Sequence, residues 1–199
     1  EPIKNINEGE YVARINKIAL DEKSFDIPLN ELKNKFEIVE KEGKFAIGSR
    51  NISRSNFINL PEKTSAELLE LIGLIVSDGN ISNKDDSIGF YNNDIDLINR
   101  FKLLMKNTFG IVEFKEKNVD SCFGVIVYSK LLVEYFKILK FTNETKENIP
   151  YYFFKLPKKE IESFVRGYFD GDGTVSRVKI NNLVIYEKGS TIEEVIGKT

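Results

Sequence analysis

Two aspartates carry the chemistry this sequence could perform. Asp78 closes the apolar run "LIGLIVSDG" at 71–79, and Asp172 closes "VRGYFDGDG" at 165–173. Either Asp-Gly alone reads as a helix cap and turn. The pair says more, because Gly73, Asp78, Gly79 and Ser82 recur as Gly167, Asp172, Gly173 and Ser176, each pair 94 residues apart. If both runs are helices related by a pseudo-twofold axis, their C-terminal ends meet and bring two carboxylates together at the negative ends of two helix dipoles. Like charges held close call for a cation, or for one carboxylate to stay protonated. A divalent ion that keeps positions for water and phosphate oxygens suits in-line phosphodiester hydrolysis. Gly73, Gly167 and Gly171 are small enough to let two such helices approach. Asp170 has Val76 at the matching place in the first copy, which marks it as an accessory or exposed acid rather than a ligand.

Composition narrows the alternatives. The 199 residues contain no histidine, which removes imidazole acid-base catalysis, the Ser-His-Asp triad and zinc sites built on His. The single cysteine, Cys122, cannot form an internal disulfide and is expected in the core. Oxygen-ligand chemistry remains, supplied by 31 acidic residues against 29 basic ones. The net charge of −2 is not the basic excess usual for nucleic-acid binders, so any such face must be segregated by sign. No apolar stretch reaches the roughly 20 residues of a membrane span. The start "EPIKNINEGE" is unlike a secretory leader, and a cytoplasmic location is expected.

The elements that must position the aspartates follow from periodicity. Residues 1–60 form a small β-rich region: "EYVARI", then a short helix in "IPLNELKNKF", then "FEIVEKEGKFAIG" with a turn at Glu42-Gly43, and a polar loop "SRNISRSN". From 61 to 155 the order is helix, two strands, helix, two strands, helix. Thr64 and Glu67 have capping-box spacing before "AELLELIGLIV", which is apolar almost all round, and Gly79 is expected to end that helix in the left-handed conformation. Gly110 stops the helix "IDLINRFKLLMKNTFG". A second copy starts at 156. "TVSRVKI" and "LVIYEKG" are expected as strands about an Asn181-Asn182 turn, and Ser190-Thr191 as the cap of a helix in "IEEVIGKT". The first copy spends about 60 residues beyond its Asp-Gly, the second only 26 after Gly173, so repeat two is expected to be truncated.

The paired runs resemble the twin signature of the LAGLIDADG homing endonucleases. The stretches "IGFYNND", "VIVYSKLLVEYF" and "NIPYYF" resemble its double-motif members within inteins and introns. "INEGEYVARINKI" resembles, more briefly, the intein segment before the endonuclease insertion. The resemblance implies an α+β fold of two αββαββα halves, whose sheets form a saddle over the DNA major groove. It also implies Mg²⁺ or Mn²⁺ held by Asp78 and Asp172 with Gly79 and Gly173, and cleavage of both strands of a long duplex target. Lys130 in "YSKLL" is the candidate basic residue near the scissile phosphates. Asn80, Ser82, Lys84, Tyr91, Asn92, Lys115, Lys117, Arg177 and Lys179 are the candidates for contact with DNA.

Two motifs in one chain imply a monomer, or a dimer if another chain completes the truncated half. The residues that inteins use at their splice junctions are absent, so self-splicing is not expected. Two alternatives stand beside the endonuclease. One is a decayed or truncated relative that binds DNA or structured intron RNA without cutting; the other is a duplicated scaffold with no nucleic-acid role.

Overall fold

The computed structural model describes residues 23–48, 57–119, 122–143, 148–172, 175–180, 183–188 and 191–195, the last three segments as backbone only. The chain is mixed α+β with antiparallel sheets. The predicted strand "EYVARI" and the loop "SRNISRSN" lie outside the described residues.

The N-terminal part holds α1 (Asn30–Lys35) and a hairpin of β1 (Ile38–Lys41) and β2 (Lys44–Ile47). Glu42 and Gly43 both have positive φ, 53° and 73°, the tight turn that the dipeptide predicts. This part has no separate core: Ile27, Leu32 and Ile58 belong to the same apolar cluster as residues of the later helices. Lys35 of α1 pairs with buried Glu134, 2.6 Å away, and Ile27 donates its N–H to the Glu62 carbonyl.

Next come α2 (Ala66–Asp78), β3 (Gly79–Ser82), β4 (Ser87–Asn92), α3 (Ile95–Phe109), β5 (Lys115–Val119), β6 (Cys122–Tyr128) and α4 (Lys130–Ile138), the αββαββα order in full. The four strands form one sheet in the order β3-β4-β6-β5. Its register aligns Ile81 with Ile88 and Val127, and Phe90 with Val125. These apolar residues share one face and are buried with the apolar residues of α2, α3 and α4. Gly110 stops α3 in the left-handed conformation, φ 71°, as its position predicts. The edge strand β3 is covered at one point by Asn143, whose Oδ1 accepts the Ile81 N–H at 2.9 Å.

A 3₁₀ turn (Tyr151–Lys155) leads into α5 (Lys158–Asp172), followed by a three-strand meander of β7 (Val175–Ile180), β8 (Leu183–Lys188) and β9 (Thr191–Val195). No helix among the described residues is long and apolar enough to cross a membrane.

Four expectations are corrected. The N-cap of α2 is Ser65, whose Oγ accepts the Leu68 N–H, not Thr64. The buried Thr64 hydroxyl instead accepts the Phe25 N–H at 2.8 Å, tying the N-terminal segment to the base of α2. Gly79 is extended, φ −93° and ψ 163°, because the chain passes from helix straight into β3. Its need for glycine is steric, since a Cβ there would lie 2.5 Å from the Ile75 backbone. In place of the start of the "IEEVIGKT" helix stands β9, consistent with β-branched Thr191, Ile192 and Val195, and residues 196–199 lie outside the described residues. Cys122 is half-buried at the start of β6 rather than in the core.

Candidate functional site

The two motif helices, α2 and α5, pack against each other through reciprocal glycines. A Cβ on Gly73 would overlap the Phe164 carbonyl and lie 2.7 Å from the Tyr168 nitrogen; a Cβ on Gly167 would overlap the Glu70 carbonyl and lie 3.2 Å from the Leu74 nitrogen. Glu70 and Phe164, like Leu74 and Tyr168, are 94 residues apart, so each contact has its mirror and the interface has local twofold symmetry. Helices so matched run side by side in the same sense, and their C-terminal ends coincide. There a Cβ on Gly171 would overlap the Ser77 hydroxyl and lie 3.0 Å from Asp78 Oδ2. Asp172 is the next residue and the last of α5; Asp78 is the last of α2. Both candidate acids therefore stand at one end of the helix pair.

Asp78 is half-buried, and its Oδ2 accepts a 2.7 Å hydrogen bond from Asn92 Nδ2. Asp172 and Asp170 are exposed. Among the described residues no group of three or more His, Cys, Asp or Glu converges, so a cation here would rest on the aspartate pair and on oxygens from substrate and water. Gly173 lies outside the described residues, and so do the side chains of Arg177 and Lys179.

The sheet face turned away from the helices collects most of the other candidates. Register aligns Asn80 with Gly89, Gly89 with Ile126, and Ile126 with Lys115, and beside them Tyr91 with Gly124 and Gly124 with Lys117. Asn80, Ser82, Tyr91, Lys115 and Lys117 thus share one face, and Tyr128 joins them with its ring 5.8 Å from Lys115 Nζ. The Tyr91 ring lies over two glycines. A Cβ on Gly89 would come 2.8 Å from Cε2, and one on Gly124 2.6 Å from Cε1. Burial, then the neighbouring Tyr128, push the Tyr91 phenol above its ordinary pKa. Lys84 is exposed in the β3–β4 turn.

Two candidates fall elsewhere. Asn92 is on the opposite face, where it meets Asp78. Lys130 begins α4, with its ammonium over the Phe36 ring at 5.5 Å. It follows Tyr128, which pairs with Ser87 at the start of β4, whereas Asp78 lies beside the far end of that strand. Ser87 and Asn92 are five positions apart, about 16 Å of strand. Lys130 and Asp78 are not brought together.

Sequence reasoning also missed an ion cluster on the motif helices. Glu70, 4% exposed, accepts Arg100 Nε at 2.6 Å and Nη2 at 2.7 Å, and Arg166 Nη2 of α5 at 2.6 Å. An acid inside an otherwise apolar buried helix was the available signal, since such a charge requires a cationic partner. Burial alone would raise the Glu70 pKa, but the hydrogen bonds and charges of Arg100 and Arg166 outweigh it and hold the carboxyl below its ordinary value of 4.5. A depressed folded-state pKa stabilises above the unfolded value, and that stability is lost as pH falls through 4.5 toward the folded value. Glu70→Gln is expected to lower stability at neutral pH by about 2 kcal/mol and to flatten the pH dependence below 4.5. Urea unfolding at a series of pH values checks both.

The first of the two helices and the sheet that follows it are similar to known proteins. Residues 65–140, from the N-cap of α2 to just past the end of α4, match the family model described as a LAGLIDADG-like domain. Curated relatives include a DNA polymerase of Thermococcus hydrothermalis, 34% identical over 121 residues, 56% of this chain and 7% of that protein. A subunit of the A-type ATP synthase of Methanopyrus kandleri is 27% identical over 57% of this chain and 11% of its own length. A glutamine–fructose-6-phosphate aminotransferase of Methanocaldococcus jannaschii is 26% identical over 63% of this chain and 12% of its own length. The chain thus spans no more than about an eighth of these relatives.

Proposed function

We propose that this chain is a homing-type, site-specific double-strand DNA endonuclease, or the endonuclease part of a larger protein. The observation that carries the reading is the twofold glycine contact between α2 and α5, with Asp78 Oδ2 across from Gly171, the residue before Asp172, at the shared helix end. The donor set fits Mg²⁺ or Mn²⁺: carboxylate oxygens only, few in number, at the negative ends of two helices. Such an ion would polarise the scissile phosphodiester and lower the pKa of an attacking water. The chain's own part is to hold Asp78 and Asp172 at fixed spacing and to seat the duplex. Asn80, Ser82, Tyr91, Lys115 and Lys117 form the seating face, with Lys84 at its rim. That face is more basic than the chain's net charge suggests, so affinity should fall steeply with salt.

The relatives support the same view from another direction. A polymerase, an ATP synthase subunit and an aminotransferase have no activity in common, which supports a module carried by unrelated hosts, as an intein-borne endonuclease would be. Residues 1–60 are then an intein-derived or DNA-contacting extension, 61–155 the first repeat and 156–199 the second.

The test is a cleavage selection against a randomised duplex library with the full chain in Mg²⁺. The expected result is one enriched, asymmetric site cut in both strands. Salt-sensitive DNA binding without any cut site would overturn the endonuclease and favour a binder; structured RNA retained in place of DNA would name a different substrate.

A further inference from the structure

Asn92 lies on the sheet face opposite the other groove-contact candidates, and its amide is engaged at both ends. Its Oδ1 accepts the Asp94 N–H at 2.7 Å, and Asp94 Oδ1 in turn accepts the Asp96 N–H at 2.8 Å, in the first turn of α3. With its oxygen occupied by a backbone donor, the amide can present only its nitrogen to Asp78, and a carboxylate can only accept. The 2.7 Å bond to Asp78 Oδ2 is therefore fixed in direction by chemistry at both ends. A chain of hydrogen bonds runs from the N-terminus of α3, through the end of β4, to the last residue of α2.

We infer that Asn92 is the positioning residue for Asp78: it fixes the carboxylate rotamer and partly offsets the unfavourable charge at the α2 C-terminus, so that a divalent cation meets a preset ligand. This rests on the cation reading of the Asp78–Asp172 pair given above. Hydrogen-bonded carboxylate ligands typically lose 10–100-fold in metal affinity when the outer partner is removed.

The test uses Mn²⁺ alone, titrated into the full chain and followed by the EPR signal of free Mn²⁺, in wild type, Asn92→Ala, Asn92→Leu, Asp78→Asn and the Asp78→Asn/Asn92→Ala double variant. Both Asn92 variants are expected to raise the Mn²⁺ midpoint about tenfold, with EDTA-measured binding to mixed duplex DNA unchanged and the melting temperature lowered by a few degrees for the two lost hydrogen bonds. In the Asp78→Asn background Asn92→Ala is expected to add nothing, since it acts only through Asp78. Unchanged midpoints in both Asn92 variants overturn the proposal while leaving the cation reading intact. So does a shift that persists in the Asp78→Asn background. Failure of wild type to take up Mn²⁺, or Asp78→Asn binding it as wild type does, overturns the cation reading and the positioning role together.

Discussion

Asp78→Asn is expected to lower Mg²⁺-dependent cleavage of the selected site by about a thousandfold, roughly 4 kcal/mol of transition-state stabilisation, while DNA affinity measured in EDTA changes less than about threefold. Asparagine keeps the shape of the side chain and an oxygen to accept the Asn92 donor, so the local fold should survive. What it removes is the negative charge. Two carboxylates at one helix end repel each other without a cation, so the neutral variant should melt at the same temperature as wild type or slightly higher in EDTA. A loss of cutting with gained or equal stability separates a residue kept for catalysis from one kept for packing. Asp172→Asn should behave alike. Single-turnover cleavage of a labelled duplex, with each strand followed separately, measures the effect. Cutting that survives either substitution at near wild-type rate would sink the assignment.

The 94-residue repeat made the central part of this site legible. It named both helices, the acids at their ends and the three glycines at their contact, because matched offsets in sequence become matched contacts in space. What remained hidden depended on register. Asn92 belongs with Asp78 only because Gly79 pairs with Phe90, which carries the end of β4 back past the end of α2. From spacing alone Asn92 reads as one more polar residue on a groove-facing strand. The separation of Lys130 from the acids was hidden for the converse reason: the end of β6 that it follows pairs with the start of β4, away from them. Ser65 and Thr64 differ by one position and share cap chemistry. Only the tertiary demand of the Phe25 N–H decides which of them caps α2. Glu70 was legible in principle, but its partners were not, since Arg100 and Arg166 lie on two other helices.

Gly167→Ala is expected to cost about 3 kcal/mol of stability, a melting-temperature drop of about 6–12 °C for a chain of this size. The new methyl would run into the Glu70 carbonyl and the Leu74 nitrogen, backbone atoms of a buried helix that no rotamer change can move aside. Gly73→Ala should match it, because its methyl meets the symmetry-related Phe164 carbonyl and Tyr168 nitrogen. Gly171→Ala is a different case. Its obstacle is largely the Ser77 side chain, so Ser77→Gly in the same molecule should restore stability, whereas no side-chain deletion can rescue Gly167→Ala. The variants also separate folding from chemistry. Helices forced apart at Gly167 shift the acids relative to each other, and a displacement of about 1 Å at reacting groups can cost on the order of a hundredfold in rate. Cleavage by Gly167→Ala should therefore fall well below wild type even at temperatures where it is fully folded. A Gly167→Ala chain that melts and cuts as wild type does would mean that the α2–α5 contact does not set the spacing of Asp78 and Asp172, and the paired-acid site would lose its physical basis.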